Sequence, residues 1–131
     1  MKRPEENLQR AIVQYLDRCL MPPWMFWATP NQRGTRTVVE AQILKALGVR
    51  AGIPDLFVLG PNATLIGLEV KAPPKLGKRG VSKAKPTLND AQKAMFPRLA
   101  GLGVPVIVVR DVEDAVAALS SIGAPFRGRV M

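Results

Sequence analysis

Three charged side chains are spaced so that two short strands could bring them to one place. Asp55 precedes the apolar run Leu56–Gly60, and Glu69 and Lys71 close a second apolar run. Because side chains alternate along a strand, Glu69 and Lys71 share one face, opposite Val70. The pattern predicts a hairpin that carries two carboxylates and one ammonium at one end.

This combination of groups suits phosphate chemistry. Carboxylate oxygens are the ligands of hard divalent cations, and such a cation can polarise a phosphate and activate water. The alternative interpretation is an exposed salt bridge between Glu69 and Lys71, a common arrangement that contributes little to stability. The presence of Asp55 at the same strand end favours the metal site.

Composition narrows both the chemistry and the partner. The 131 residues include no histidine, which excludes Ser-His-Asp hydrolysis, Cys-His proteolysis and histidine-ligated zinc. Nineteen Lys and Arg residues against ten Asp and Glu residues give a net charge of +9. A surplus of this size favours a polyanionic partner, and nucleic acid is the first candidate.

The length and apolar content predict a single domain that spans residues 1–131. Hydrophobic residues make up 47% of the chain, enough for one core. No apolar run reaches the length of a membrane span, and the first residues lack the pattern of a signal peptide. The single Cys19 fits a reducing compartment. We therefore expect a cytoplasmic protein with no membrane partner.

The ordered motifs resemble those of one group of nucleases. Pro54-Asp55, followed by Glu69-Val70-Lys71, resembles the PD-(D/E)XK signature. The wider set resembles the virus-type replication-repair nuclease (VRR-Nuc) branch of that superfamily. The short acidic pattern alone has little specificity, whereas the ordered set within one small domain has more. That set consists of residues 52–56, residues 68–71, Gln92 in a following helix and residues 103–106.

The resemblance implies an α/β, restriction-endonuclease-like fold with a central mixed β-sheet flanked by helices. It also implies a Mg²⁺ or Mn²⁺ site formed by the Asp55 and Glu69 carboxylates and the Val70 carbonyl. In this family a glutamate of the first helix contributes to the metal site. Glu5 fits that position better than Glu6, because a glutamine stands four residues after it.

The same resemblance assigns roles in catalysis. Lys71 would position the attacking water and stabilise the transition state, and Gln92 would orient water or substrate beside Asp55 and Glu69. The implied activity is cleavage of branched DNA, such as four-way junctions or flaps. It also implies a homodimer in a bacterial or phage-infected cell.

Two polar segments are candidates for contact with DNA. Residues 29–36 form a loop that is either a solvated connection or, by the resemblance, lies near the DNA backbone. Residues 72–86 contain five basic residues and no acid, which favours a phosphate-binding arm over a mobile solvated loop. The candidate contacts are Asn31, Arg33 and Arg36 in the first segment, and Lys75, Lys78, Arg79, Lys83 and Lys85 in the second.

The remaining pattern predicts the order helix, short strand, helix, strand, strand, helix, strand, helix. Thr87 with Asp90 predicts a capped start for the third helix, and residues 123–131 are expected to form a loosely held tail. Residues 24–28 are predicted to form the short first strand, which contains Trp24 and Trp27. Both could stack on bases, although packing is the favoured interpretation.

Three alternatives to a DNA-cleaving enzyme stay open at this point. The first is a non-catalytic DNA-binding module. The second is an RNA-cleaving enzyme or an accessory subunit that needs a partner for cleavage, and the third is a basic structural protein with its carboxylates in salt bridges. The intact set of Asp55, Glu69 and Lys71 argues against a degraded site, and binding of a divalent cation separates the structural protein from the nuclease.

Overall fold

The computed structural model describes residues 4–29, 37–73, 76–77, 80–81 and 87–128. Within these ranges the helices are α1 (Pro4–Cys19), α2 (Val38–Ala46), α3 (Asp90–Gly101) and α4 (Val112–Ser121). The strands are β1 (Met25–Ala28), β2 (Leu56–Gly60), β3 (Thr64–Val70), β4 (Leu76–Gly77), β5 (Gly80–Val81) and β6 (Val106–Val109).

Four strands form a mixed sheet in the order β1-β2-β3-β6. The β1–β2 and β2–β3 pairs are antiparallel, and β3 and β6 run parallel. The predicted hairpin is therefore present, and its second strand lies in the interior of the sheet. Because β3 has a neighbour on each side, both edges of its backbone are fixed along most of its length.

The core fills the space between one face of this sheet and two helices. Alternate residues of β2 and β3, such as Val58 and Leu68, point to the same side and pack against Ile12 and Leu16 of α1 and Leu119 of α4. Each such side chain contributes about 1.5–3 kcal/mol when fully buried. Helix α3 lies on the opposite face of the sheet. Its residue Gln92 is hydrogen-bonded to Glu69, near the C-terminal end of β3.

Trp24 packs against Gly60 at the end of β2. A Cβ placed on Gly60 would lie 2.5 Å from two atoms of the Trp24 indole, so the ring occupies the space that a side chain would need. Packing is thus the role of Trp24, as favoured by the sequence. Trp27 differs, because it is exposed on the sheet.

Several local features differ from the sequence-based predictions. The segment predicted as a loop at residues 72–86 contains the short antiparallel pair β4–β5. The cap of α3 is Asn89 rather than Thr87, since the Asn89 side chain accepts the Gln92 amide hydrogen bond. The tail is predicted to be loosely held from residue 123, but the chain is fixed up to Phe126, which is buried and forms a β-bridge with Leu20.

Helix α2 forms as predicted but does not bury its apolar side. Val39, Ile43 and Leu47 are exposed, and Leu44 is half-buried. No described element covers this side of the helix. Among the described helices, none is both long and apolar enough to cross a membrane.

Candidate functional site

Asp55 and Glu69 face each other at one end of the sheet. The antiparallel register pairs Leu56 with Leu68, and continuing it by one residue brings Asp55 opposite Glu69. Both side chains are buried, with 1% and 2% of their surface exposed. Carboxylates are rarely buried this completely unless they are paired or bind a cation.

The Asp55 side chain is fixed by the backbone of the opposing strand. Its Oδ2 accepts a hydrogen bond of 2.8 Å from the Val70 amide, and its own carbonyl accepts one from Thr29. The N–H and C=O of one strand residue point toward the same neighbouring strand. The Val70 carbonyl is therefore directed to the side of β3 on which Asp55 lies.

Close packing next to Asp55 restricts the path of the chain. A Cβ on Gly67 would lie 2.7 Å from Cγ of Pro54. The Pro54 ring therefore rests directly on the β3 backbone, where only glycine leaves room. This contact holds the residue before Asp55 against the strand that carries Glu69.

Glu69, Gln92 and Lys71 form a connected polar group. Gln92 Nε2 donates a hydrogen bond of 2.7 Å to Glu69 Oε2. Lys71 Nζ lies 3.5 Å from the same oxygen and 3.3 Å from Gln92 Oε1. The Glu69 and Lys71 side chains are only 3% and 15% exposed, so the exposed salt bridge considered above is wrong, although the ion pair itself is present.

The orientation of Gln92 follows from the start of α3. Asn89 and Gln92 form a capping box in which Gln92 Oε1 accepts the Asn89 amide at 3.0 Å. Because this oxygen faces two donors, Asn89 N and Lys71 Nζ, the amide nitrogen is left to face Glu69. One side chain therefore caps a helix and orients the site. The motif Asn-x-x-Gln is readable in the sequence, and the competing Thr87–Asp90 pattern obscured it.

Ala72, which follows Lys71, is held by one residue of α1 and by the residue that follows β6. Glu5 Oε2 accepts a hydrogen bond of 3.3 Å from the Ala72 amide, and Arg110 Nε donates one of 3.0 Å to the Ala72 carbonyl. Glu5 thus reaches the end of β3 that carries the site. Sequence reasoning missed Arg110, whose only signal is its position directly after the apolar β6 run.

The described residues contain no group of three or more His, Cys, Asp or Glu side chains arranged to hold a metal ion. The oxygen groups at this end of the sheet include the buried carboxylates of Asp55 and Glu69 and the carbonyl of Val70, whose amide is bonded to Asp55. Glu5 is placed beside this set through its contact with Ala72.

A solved structure described as a "VRR_NUC domain protein" has a similar architecture. The TM-score is 0.54, and the alignment covers 92% of this chain and 88% of that chain with 19% sequence identity. The fold is VRR-Nuc-like. No protein family and no curated protein matches the sequence. The four-stranded mixed sheet and the similarity to this solved structure confirm the α/β architecture that the resemblance implied.

Not all of the predicted residues can be located on this VRR-Nuc-like fold. The structure brings Asp55, Glu69, Lys71 and Gln92 to one end of the sheet, with Val70 between Glu69 of β3 and Lys71, which follows β3. The predicted DNA-contacting residues lie outside the described part of the chain. These are Asn31, Arg33, Arg36, Lys75, Lys78, Arg79, Lys83 and Lys85.

The VRR-Nuc-like fold places Gly52 against the first turn of α3. Gly52 has φ of +84°, and a Cβ there would lie 2.5 Å from the Ala91 carbonyl oxygen and 3.1 Å from the Gln92 amide nitrogen. The loop before Asp55 thus touches the helix turn that carries Gln92. This contact sets the distance between α3 and the sheet at the site.

Gly52→Ala is expected to destabilise the protein by more than Gly48→Ala. Both glycines have positive φ, +84° and +94°, but a Cβ on Gly48 meets nothing within 4 Å. The control therefore carries only the backbone term of about 1–2 kcal/mol, and the clash with α3 adds to it at Gly52. Urea unfolding of both variants measures the difference, and equal losses would contradict the close approach.

Proposed function

We propose that this chain is a Mg²⁺- or Mn²⁺-dependent DNA endonuclease that hydrolyses phosphodiester bonds in branched DNA, such as four-way junctions or flaps. The observation that carries the proposal is the group formed at one end of the sheet by the buried Asp55, Glu69 and Gln92 with the half-buried Lys71. A VRR-Nuc-like fold supports the proposal, since a protein of similar structure is described as a VRR_NUC domain protein.

The donor set fits a hard divalent cation. Two carboxylates and one backbone carbonyl are oxygen ligands of the kind that Mg²⁺ and Mn²⁺ prefer. Asp55, Glu69 and Val70 would hold the ion, and Glu5 would support the site from Ala72. When bound, the ion supplies a Lewis acid that polarises the phosphate.

The other side chains of the site orient the reactants. Lys71 presents an ammonium with three donors, and its contacts with Glu69 and Gln92 direct it to the end of β3. There it positions the attacking water and stabilises negative charge on the phosphate. Gln92 fixes the Glu69 carboxylate through its amide, and Asn89 in turn fixes Gln92.

The charge of the whole chain suits a DNA substrate. The net charge is +9. Residues 72–86, which follow Lys71 directly, contain five basic residues and no acid. In the proposed enzyme, this segment and Arg33 and Arg36 contact the phosphate backbone. These contacts raise the affinity for DNA of any sequence, and added salt weakens this part of the affinity.

The proposed enzyme acts as a homodimer. Two sites related by a two-fold axis can cut two strands of a junction symmetrically, because an isologous dimer presents the same surface twice. Light scattering of the free protein and of its complex with a four-way junction measures the number of copies. A single copy in both samples would contradict the dimer and leave the cleavage proposal intact.

The cleavage proposal is tested with Asp55→Asn beside the wild type. Asparagine keeps an acceptor for the Val70 amide, so the fold is retained while a negative ligand is lost. We expect the cleavage rate to fall on the order of 1000-fold or more. Labelled four-way junction, flap, linear duplex and single-stranded DNA are incubated with Mg²⁺ and with Mn²⁺.

Each outcome of this assay separates the alternatives. Junction or flap cleavage that disappears with Asp55→Asn supports the proposed enzyme and its substrate. DNA binding without cleavage under both metals assigns the chain to the accessory or non-catalytic DNA-binding class instead. Cleavage that survives Asp55→Asn places the reaction elsewhere.

A further inference from the structure

The sheet face that carries Glu69 also carries an aromatic pair, in which Trp27 is exposed and Phe57 is half-buried. The register aligns Trp27 with Phe57 and Phe57 with Gly67, and Gly67 precedes Glu69 by two residues. Paired residues, and residues two apart in one strand, point to the same face. From the spacing within and between strands, the Cα atoms of Trp27 and Glu69 lie about 12 Å apart.

Phe57 covers one side of the Trp27 indole, and Trp27 stays exposed. The Trp27 and Phe57 rings are stacked, with centroids 5.8 Å apart and an interplanar angle of 28°. Trp27 is 40% exposed and belongs to β1, the outer strand of the sheet. Phe57 therefore supports the inner side of the indole, and no described strand lies beyond its outer side.

The two tryptophans of the chain thus have different surroundings. Trp24 fills the space above Gly60 and is half-buried, whereas Trp27 is backed by a second ring and exposed. A flat, supported and exposed indole is the feature on which nucleic-acid bases stack. Its position on the Glu69 face places this feature beside the proposed active site.

We propose that Trp27, supported by Phe57, stacks an unpaired base of the DNA strand whose phosphate lies at Asp55 and Glu69. This inference rests on the proposed nuclease function and names its substrate class. A base inside a duplex has both faces covered by its neighbours, so a protein ring can stack only on a base that is unpaired or displaced. The preferred substrate therefore has unpaired nucleotides next to the cleaved bond.

The sequence after β1 fits a nucleic-acid partner. Residues 30–36 begin two positions after the end of β1 and contain Arg33 and Arg36 with no acid. Basic side chains along the strand backbone, combined with an aromatic platform for the bases, are the usual combination in proteins that bind single strands.

The test compares two single-stranded probes in EDTA, where no cleavage takes place. One probe is a short thymidine oligonucleotide, and the other is an abasic strand of the same length and charge. Fluorescence anisotropy gives both dissociation constants for the wild type, Trp27→Leu, Trp27→Phe and the control Met25→Ala. Met25 lies on the same strand face and is exposed, but it offers no ring.

We expect the wild type to bind thymidine at least about fivefold more tightly than the abasic strand, the fold-change that one stacked base provides. Trp27→Leu removes this preference and leaves abasic binding unchanged, while Trp27→Phe and Met25→Ala retain most of it. Circular dichroism and urea unfolding establish that each variant is folded. Equal affinity of the wild type for both probes, or a preference that survives Trp27→Leu, would overturn the stacking.

The failure of this inference is distinct from that of the nuclease proposal. Metal-dependent cleavage by a protein that binds both probes equally removes the stacking and leaves the enzyme. A thymidine preference that depends on Trp27, without cleavage, keeps the stacking in a DNA-binding module. If a second copy of the chain covers Trp27, acrylamide quenches the tryptophan fluorescence less strongly as the protein concentration rises. That result also overturns the inference.

Discussion

Glu69→Gln is expected to abolish cation binding and DNA cleavage together while the fold persists. Glutamine has the shape of glutamate and can still accept the Gln92 amide hydrogen bond. It lacks the negative charge that a divalent cation requires of its ligands. We therefore expect a loss of cleavage on the order of 1000-fold.

Thermal unfolding with and without Mn²⁺ reports the loss of the ion independently of DNA. An ion that binds only the folded chain stabilises it by about 2.7 kcal/mol at 100 times its dissociation constant. The wild type should show the corresponding rise in Tm, and Glu69→Gln should not.

The matched control for this prediction is Glu40→Gln. It makes the same chemical change at an exposed position on α2. The control should keep both the Mn²⁺-dependent rise in Tm and the cleavage rate. If Glu69→Gln also keeps them, Glu69 is not a ligand, and its burial has a structural cause.

Lys71→Met is expected to separate catalysis from cation binding. Methionine retains most of the length and apolar surface of the lysine stem but has no ammonium to orient water or to offset charge on the phosphate. The cleavage rate should fall about 100- to 1000-fold with Mg²⁺ or Mn²⁺ present. The rise in Tm with Mn²⁺ should persist, since Lys71 is not an oxygen ligand.

Loss of the Lys71 charge also affects the stability of the metal-free protein. Removing one member of a largely buried ion pair leaves the other charge in a poorly solvated place. The metal-free variant should therefore unfold at a lower temperature than the wild type, and Mn²⁺ should recover part of the difference.

Lys45→Met provides the corresponding control, because Lys45 is exposed on α2. It should leave both the cleavage rate and the Tm close to those of the wild type. If Lys71→Met loses cation binding as well as cleavage, the lysine maintains the shape of the site rather than acting on water.

The central hairpin was predictable because its information is local. A period of two residues places Glu69 and Lys71 on one face, and the short turn brings Asp55 back to the same end. They hold for the register in which Asp55 lies opposite Glu69, whereas a shift of one residue would turn the two carboxylates to opposite faces of the sheet. The structure has this register, because Leu56 pairs with Leu68.

The surroundings of the hairpin depend on contacts between distant parts of the chain. The approach of Gly52 to Ala91 is set by how α3 packs on the sheet, and no local pattern specifies it. The same holds for Arg110, which reaches Ala72 across the end of β3. Gln92 was placed at the site through a family resemblance, whereas its double role as cap and site residue required the structure.

Periodicity also has a definite limit at α2. The spacing of Val39, Ile43 and Leu47 correctly predicts a helix with one apolar side. Whether another element covers that side is a separate question, since the same pattern occurs in a helix that packs inside its own chain and in one that meets a partner. In this structure the three side chains are exposed.

The parallel pairing of β3 with β6 determines when the site can form during synthesis. The Lys71 amide is bonded to the Val109 carbonyl, and Arg110 holds the Ala72 carbonyl. On the ribosome, residues 55–71 emerge well before residues 109–110 do. The hairpin can close early through local contacts, but its end is aligned only after the distant strand has arrived. The proposed activity is therefore withheld from the nascent polypeptide until residues 109 and 110 have left the ribosome.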